Sequence, residues 1–300
     1  MKRNFLDKIE AWDQRGVLSV VGPTGCGKTS TVLNYLRSLP PGDSERFLIV
    51  SVDSVAFYRG LDIGSAKVIG RDRLDFQWIG LDFLNLDEVA TSKQFLSVVQ
   101  EPILKHLLND GPVILVGGSG FYERALVEGV APGEKSNEVY QRSLDDQSNE
   151  ELHAKLLSFD KRWGEKIYPN DRYRVTRYLD LVDRQGFSWD DLRNIKIRDP
   201  GLAKIWNETS MLVLGGGGAR SIFREPLKAR IEEMFERGWL EEAKALLSKW
   251  GPSAPGIQSM GYREIVPHLN GEYDLTKTKE LILSAHMAYV KRQRTWFKAL

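Results

Sequence analysis

The chain has 300 residues, 42% of them hydrophobic, which is enough for one large core or two smaller ones. Its 42 basic and 41 acidic residues nearly cancel, so bulk charge draws it to no polyanion and any such partner must meet a local patch. The single cysteine, Cys26, excludes an internal disulfide. No apolar run approaches the roughly 18 residues a membrane helix needs, and Met1-Lys-Arg-Asn-Phe5 leads into no apolar stretch, so a cytoplasmic, membrane-free setting is expected.

In chain order, Gly16–Val21 reads as a short buried strand that ends in glycine, and residues 29–39 then carry Val32, Leu33 and Leu36 at helical spacing. Phe47–Val52 reads as a second strand ending at Asp53. Pro112–Val116 reads as a third, ending at Gly117-Gly-Ser-Gly120. Runs buried on both faces and separated by helical stretches suit a parallel sheet covered by helices. From Pro132 to about Pro200 the chain turns charged, strand-poor and helix-forming, with Trp163, Tyr168, Tyr173 and Tyr178 among basic residues. Residues 211–214 read as one more buried strand before four glycines, and Arg224–Leu247 as a helical hairpin broken near Gly238. The expected architecture is α/β: a P-loop NTPase-like core of parallel sheet flanked by helices, over residues 1–130 and 201–300, with a mostly helical insertion at 131–200.

The sharpest motif is Gly22-Pro23-Thr24-Gly25-Cys26-Gly27-Lys28-Thr29, an uninterrupted phosphate loop between strand and helix. Its backbone N–H groups make an anion cradle at a helix N-terminus, Lys28 adds charge, and the Thr29 hydroxyl can reach a Mg²⁺ ion. Cys26 reads as a small filler, since no histidine lies near it in sequence to activate it. The loop alone leaves its anion open: a nucleoside triphosphate, as in a small-molecule or nucleotide kinase, or another diphosphate ester. Asp53 and Ser54 lie at a carboxyl end of the sheet, where ligands of open α/β folds bind. A carboxylate there can take a proton from an incoming nucleophile or help hold a metal.

The block Asp53-Ser54-Val55-Ala56-Phe-Tyr58-Arg-Gly60-Leu-Asp62-Ile-Gly64-Ser-Ala66-Lys67 is more than generic. With Gly22-Pro-Thr, Gly117-Gly-Ser-Gly-Phe-Tyr122, Asn170-Asp-Arg-Tyr-Arg174-Val-Thr-Arg177, Arg224-Glu-Pro-Leu-Lys-Ala-Arg230, Met260-Gly-Tyr262-Arg-Glu264 and Lys291-Arg292-Gln293-Arg-Thr-Trp296-Phe297, the chain resembles the tRNA dimethylallyltransferases, also called isopentenyl-diphosphate:tRNA isopentenyltransferases. The resemblance spans nearly the whole chain. It implies transfer of a dimethylallyl group from dimethylallyl diphosphate to N6 of adenosine 37, beside the anticodon of tRNAs that read codons beginning with U. It implies that residues 22–29 grip the donor diphosphate, that Thr29 is the Mg²⁺ ligand, and that Asp53 is the general base. Arg224 and Arg230 are the arginines nominated to stabilise the leaving diphosphate, with Arg224 preferred.

The resemblance also implies a tRNA surface made by Asp53, Ser54, Val55, Ala56 and Ser119, by Arg174 and Arg177 in the insertion, and by Lys291 and Arg292. Both basic segments are rich in cation. Residues 166–178 carry Lys166, Arg172, Arg174 and Arg177 against Asp171, interleaved with tyrosines, and residues 286–300 carry four cations and no acid. Three stretches depart from the family pattern: Ala56 replaces a glutamine, Gln77-Trp-Ile79 replaces Pro-His-His, and His286-Met-Ala288 replaces Thr-Arg-Gln. Drift at these places leaves open a tRNA-binding homologue without catalysis. His106, His153 and His268 show no metal-ligand spacing. The chain is expected to act as a monomer.

Overall fold

The computed structural model describes residues 9–130, 136–194, 201, 209–215 and 217–298. Chain contacts divide it into two units, one running to Val127 and resuming at Pro200, the other Glu128–Asp199.

The first unit is built on five parallel strands: β1 (Val17–Val21), β2 (Leu48–Val52), β3 (Gln77–Ile79), β4 (Val113–Gly117) and β5 (Thr209–Val213), in the order β3-β2-β4-β1-β5. β1, β2 and β4 are buried at every position, as expected of central strands with helices on both faces. β5, expected as a buried strand, stands at the sheet edge with Ser210 and Met211 exposed, and β3 was not foreseen. It has three residues, Gln77 is exposed and only one neighbour holds it, so neither alternation nor a long apolar run marks it.

Around the sheet stand α1 (Lys28–Ser38), α2 (Ser92–Leu108) and α3 (Gly120–Glu128). α1 sends Val32, Leu33 and Leu36 into a core with Leu18, Val20, Phe47, Ile49, Ile114 and Val116. α2 opens on a reciprocal cap between Thr91 and Gln94. Its Phe95 stacks on Phe57 at 5.2 Å between ring centres, with Tyr122 edge-on to both.

The second unit is an all-helical bundle among its described residues: α4 (Glu138–Arg142), α5 (Asn149–Phe159), α6 (Arg172–Leu179) and α7 (Trp189–Asn194). They close on Leu152, Leu156, Trp163, Val175, Leu179 and Leu192. The carboxylate of Asp180 is fully buried there, 3.0 Å from Arg177, 2.5 Å from Arg184 and 3.0 Å from Gln185.

After β5 the first unit resumes with α8 (Arg224–Glu236), α9 (Trp239–Trp250), α10 (Tyr262–Leu269) and α11 (Leu275–Lys298). The expected hairpin is α8 and α9, broken at Gly238 in the left-handed region. No helix among the described residues is long and apolar enough to cross a membrane.

Candidate active site

β4 lies between β1 and β2, and Gly117 is the register partner of both Val21 and Val52. The phosphate loop after β1, Asp53 after β2 and Gly118-Ser119 after β4 therefore leave the same edge of the sheet at one level. That edge is where ligands of open α/β sheets sit.

The loop enters α1 through Gly27 at φ +86°, a conformation few L side chains adopt. The helical ladder begins with Thr31 N–H donating to Gly27 O at 2.9 Å, which leaves the N–H groups of Lys28 and Thr29 ahead of it for an anion. Lys28 Nζ donates to Pro23 O at 2.8 Å and lies 4.0 Å from Cys26 Sγ. Burial pushes the Lys28 pKa down, the negative ends at Cys26 and Asp53 oppose that shift, and Arg230 adds to it. Cys26 packs with the core cluster beneath the loop.

Asp53 forms a short local turn in which Val55 N–H donates to its Oδ1 at 3.1 Å. Its Oδ2 has no bond to any described residue, so one carboxylate oxygen is held while the other stays available. Ser54 N–H points to Ser119 Oγ at 3.5 Å, and the Ser119 hydroxyl lies 3.4 Å from that of Tyr289. Val55 is half-buried and Ala56 buried, its carbonyl accepting from Asp82 N–H at 3.2 Å.

The two nominated arginines separate. On a helix of 3.6 residues per turn, positions six apart lie about 120° around the axis from one another. Arg224 begins α8 and is exposed, whereas Arg230 is half-buried. Arg230 makes no hydrogen bond or ion pair with any described residue, yet burial lowers its pKa against the pull of Asp53, Glu233 and Cys26. A half-buried guanidinium held without a direct partner beside a phosphate loop is suited to an incoming anion. The preference for Arg224 is thus not supported: Arg224 is exposed, whereas the Arg230 charge acts on Lys28 and is acted on by Asp53 and Cys26.

Three further residues come from α11. Gln293 Oε1 accepts from Thr24 N–H at 2.8 Å and its Nε2 donates to Gly118 O at 2.9 Å, so one buried amide joins the loop to the β4 turn. A Cβ on Gly118 would collide with that amide. Tyr289 donates to Gly118 O at 3.3 Å, and its pKa is pushed up to about 12, mainly by burial and then by the Asp53 charge. His286 is 4% exposed, and burial followed by Arg230 lowers its pKa against Ile282 O, Glu264 and Asp53. Asp53 is thus felt by Lys28, Arg230, His286 and Tyr289 alike. The sequence signal for Gln293 is its spacing on one helical face, three residues from Val290, four from Tyr289 and Phe297, and seven from His286.

A lysine brace holds the Asp53 segment. Lys67 is buried and reaches Tyr58 O at 2.8 Å, Asp62 at 2.8 Å and Asp82 at 2.5 Å. Glu242 accepts from Ile63 N–H at 2.9 Å and from the Tyr262 hydroxyl at 2.6 Å, tying that segment to α9 and α10.

Lys291 and Arg292 are exposed on α11, the Arg292 guanidinium lying 5.5 Å from the Tyr289 ring centre. Within the second unit Arg174 is exposed, whereas Arg177 is half-buried and committed to Asp180 and Ser136. Arg177 is a support of the bundle, not an open phosphate contact, because its guanidinium neutralises a buried carboxylate. Tyr168 and Tyr173 stand 81% and 80% exposed.

Among the described residues no three His, Cys, Asp or Glu side chains gather as a metal cage. A lone threonine hydroxyl fits a Mg²⁺ ion that keeps several waters and takes its remaining ligands from a substrate diphosphate.

A family model described as IPP transferase matches residues 56–300. The tRNA dimethylallyltransferase of Bdellovibrio bacteriovorus is 32% identical over 290 residues, 95% of this chain and 91% of the relative. That of Staphylococcus saprophyticus is 30% identical, over 95% and 89%. Among solved structures, the full-length tRNA isopentenylpyrophosphate transferase of Bacillus halodurans superposes with a TM-score of 0.63 at 25% identity, over 95% of this chain and 87% of that one. A eukaryotic dimethylallyltransferase acting on tRNA shares the fold, with a TM-score of 0.75 at 21% identity over 94% and 69%. With likeness of this extent in sequence and fold, the chain belongs to the IPP transferase family.

Proposed function

We propose that this protein transfers a dimethylallyl group from dimethylallyl diphosphate to N6 of adenosine 37 in tRNAs reading codons that begin with U. The carrying observation is that Lys28, Arg230 and Asp53 act on one another electrostatically at the sheet edge of an IPP transferase chain. Membership of that family disfavours the kinase reading of the loop.

The donor diphosphate would lie on the N–H groups of residues 25–29, with Lys28 leaving Pro23 O to meet it and Arg230 closing from α8. The C–O bond to diphosphate breaks as a bond forms from N6 to the allylic carbon. Negative charge gathers on the departing diphosphate, where preorganised N–H groups and two cations already stand. A Mg²⁺ ion bound there through Thr29 would supply further charge neutralisation. The amine nitrogen becomes cationic as the bond forms, and the unpartnered Asp53 Oδ2 takes its proton.

The acceptor base must leave the anticodon loop to reach this edge. Ser54, Val55 and Ser119 would line its approach, Ala56 itself being buried, while Lys291 and Arg292, and in the insertion Arg174 with Tyr168 and Tyr173, would offer cation and aromatic contacts to the RNA. A monomer in the cytoplasm suffices for this chemistry.

The test is incubation with dimethylallyl diphosphate, Mg²⁺ and unmodified tRNA, followed by nucleoside mass spectrometry. N6-dimethylallyladenosine at position 37 is expected. A folded preparation that modifies no tRNA with adenosine 37 would overturn the proposal.

A further inference from the structure

Of the histidines, His286 is the one buried residue, and nothing in the chemistry above uses it. It stands on α11 three residues before Tyr289 and seven before Gln293, so it shares the face that touches Gly118 and the phosphate loop. Its Nδ1 lies 2.9 Å from Ile282 O. A carbonyl only accepts, so Nδ1 carries the proton, and in the neutral ring Nε2 is an acceptor. Nε2 has no partner among the described residues, although the residue is 4% exposed. The charges that act on it are those of Arg230 from α8, Glu264 from α10 and Asp53 from the end of β2.

We infer that His286 is a specificity-determining contact in which Nε2 of the neutral imidazole accepts a hydrogen bond from an N–H of the nucleobase entering beside Asp53. This rests on the proposed function, and the choice of ligand follows from the donors available. A diphosphate at neutral pH offers only acceptors, and its lone pairs repel that of Nε2. A dimethylallyl group offers no polar hydrogen. Of the reactants only the purine brings N–H donors, and its exocyclic amine has two, one to be lost to Asp53 and one free for His286. Burial and the Arg230 charge, which hold the ring neutral, preserve the acceptor.

The experiment compares wild type with His286→Phe, which keeps the shape and removes the acceptor, and His286→Gln, which keeps an amide acceptor. Losing one buried hydrogen bond should raise KM for tRNA about tenfold in H286F while KM for dimethylallyl diphosphate stays within about twofold. H286Q should recover most of the loss. In wild type, kcat/KM for tRNA should fall additionally on the acid side, where the imidazole gains a proton and turns from acceptor to donor, and H286Q should lack that extra fall. Equal tRNA KM in H286F and wild type, or a donor KM that rises as much as the tRNA KM, overturns the inference. Should H286F fail to fold, ¹⁵N NMR of the histidine in wild type decides: an unmodified anticodon stem-loop is expected to shift the Nε2 signal, and no shift overturns the inference. The same spectrum separates this idea from the proposed function, since binding at His286 is read even if no transfer occurs.

Discussion

Gln293 and Thr24 are 269 residues apart in sequence, yet the side-chain oxygen of one lies 2.8 Å from the backbone nitrogen of the other. The Thr24 amide of the phosphate loop is thus claimed by the last helix, and the same side chain is fixed at its other end by Gly118 O. The loop's shape depends on α11 being in place.

Gln293→Leu removes both bonds while keeping volume, leaving the part-buried Thr24 N–H without its partner while Gly118 O keeps the Tyr289 hydroxyl. It should cost about 1–3 kcal/mol of stability. It should also raise KM for dimethylallyl diphosphate more than KM for tRNA, because the loop that loses its anchor is the one facing the diphosphate. Denaturant unfolding with two-substrate kinetics checks both; an unchanged donor KM contradicts the role given to this bridge.

Arg230→Ala should lower kcat by about 10²–10³, as loss of one preorganised charge at a leaving group does. Arg224→Ala, at an exposed helix start, should stay within about threefold of wild type. Single-turnover rates at saturating donor separate the two, and the reverse ranking would restore Arg224 as the diphosphate arginine.

Asp53→Asn keeps the turn to Val55 and removes the proton acceptor. The transfer rate should fall by about 10²–10⁴. Donor binding, measured calorimetrically, should be retained or tightened, because a negative charge near the diphosphate has gone. Loss of donor binding would mean that Asp53 mainly organises the loop.

Lys67→Met removes the cation that joins Tyr58 O, Asp62 and Asp82. Both carboxylates are partly exposed and can rehydrate, so the cost should be near 1–3 kcal/mol, below that of orphaning a fully buried charge. The midpoint of urea unfolding measures it.

Tyr289 has its pKa raised to about 12 from an ordinary 10.0. Between those values the folded state keeps a proton that the unfolded chain has lost. The stabilisation from this group is therefore whole below pH 10 and disappears as pH climbs toward 12. Stability of Tyr289→Phe should fall less steeply over that window, and alkaline unfolding curves of the two proteins test it.

Much of this protein is legible in one dimension. The phosphate loop could be read because every part of it is local: β1, the glycines, Lys28 and Thr29 are consecutive, and their chemistry depends on that spacing. The buried strands β1, β2 and β4 announce themselves as apolar runs, and Gly238 marks the break between α8 and α9. The tertiary structure decided what depends on facing. It added β3, too short to carry a pattern. It half-buried Arg230 within reach of the Asp53 and Lys28 charges and left Arg224 exposed, because six residues on a helix are a third of a turn out of phase. It committed Arg177 to Asp180, a pairing inside one bundle that charge counting cannot see. Above all it brought His286, Tyr289 and Gln293 from the far end of the chain to Asp53 and Thr24. Such contacts follow from the folding of α11 onto the sheet edge, and no local spacing encodes them.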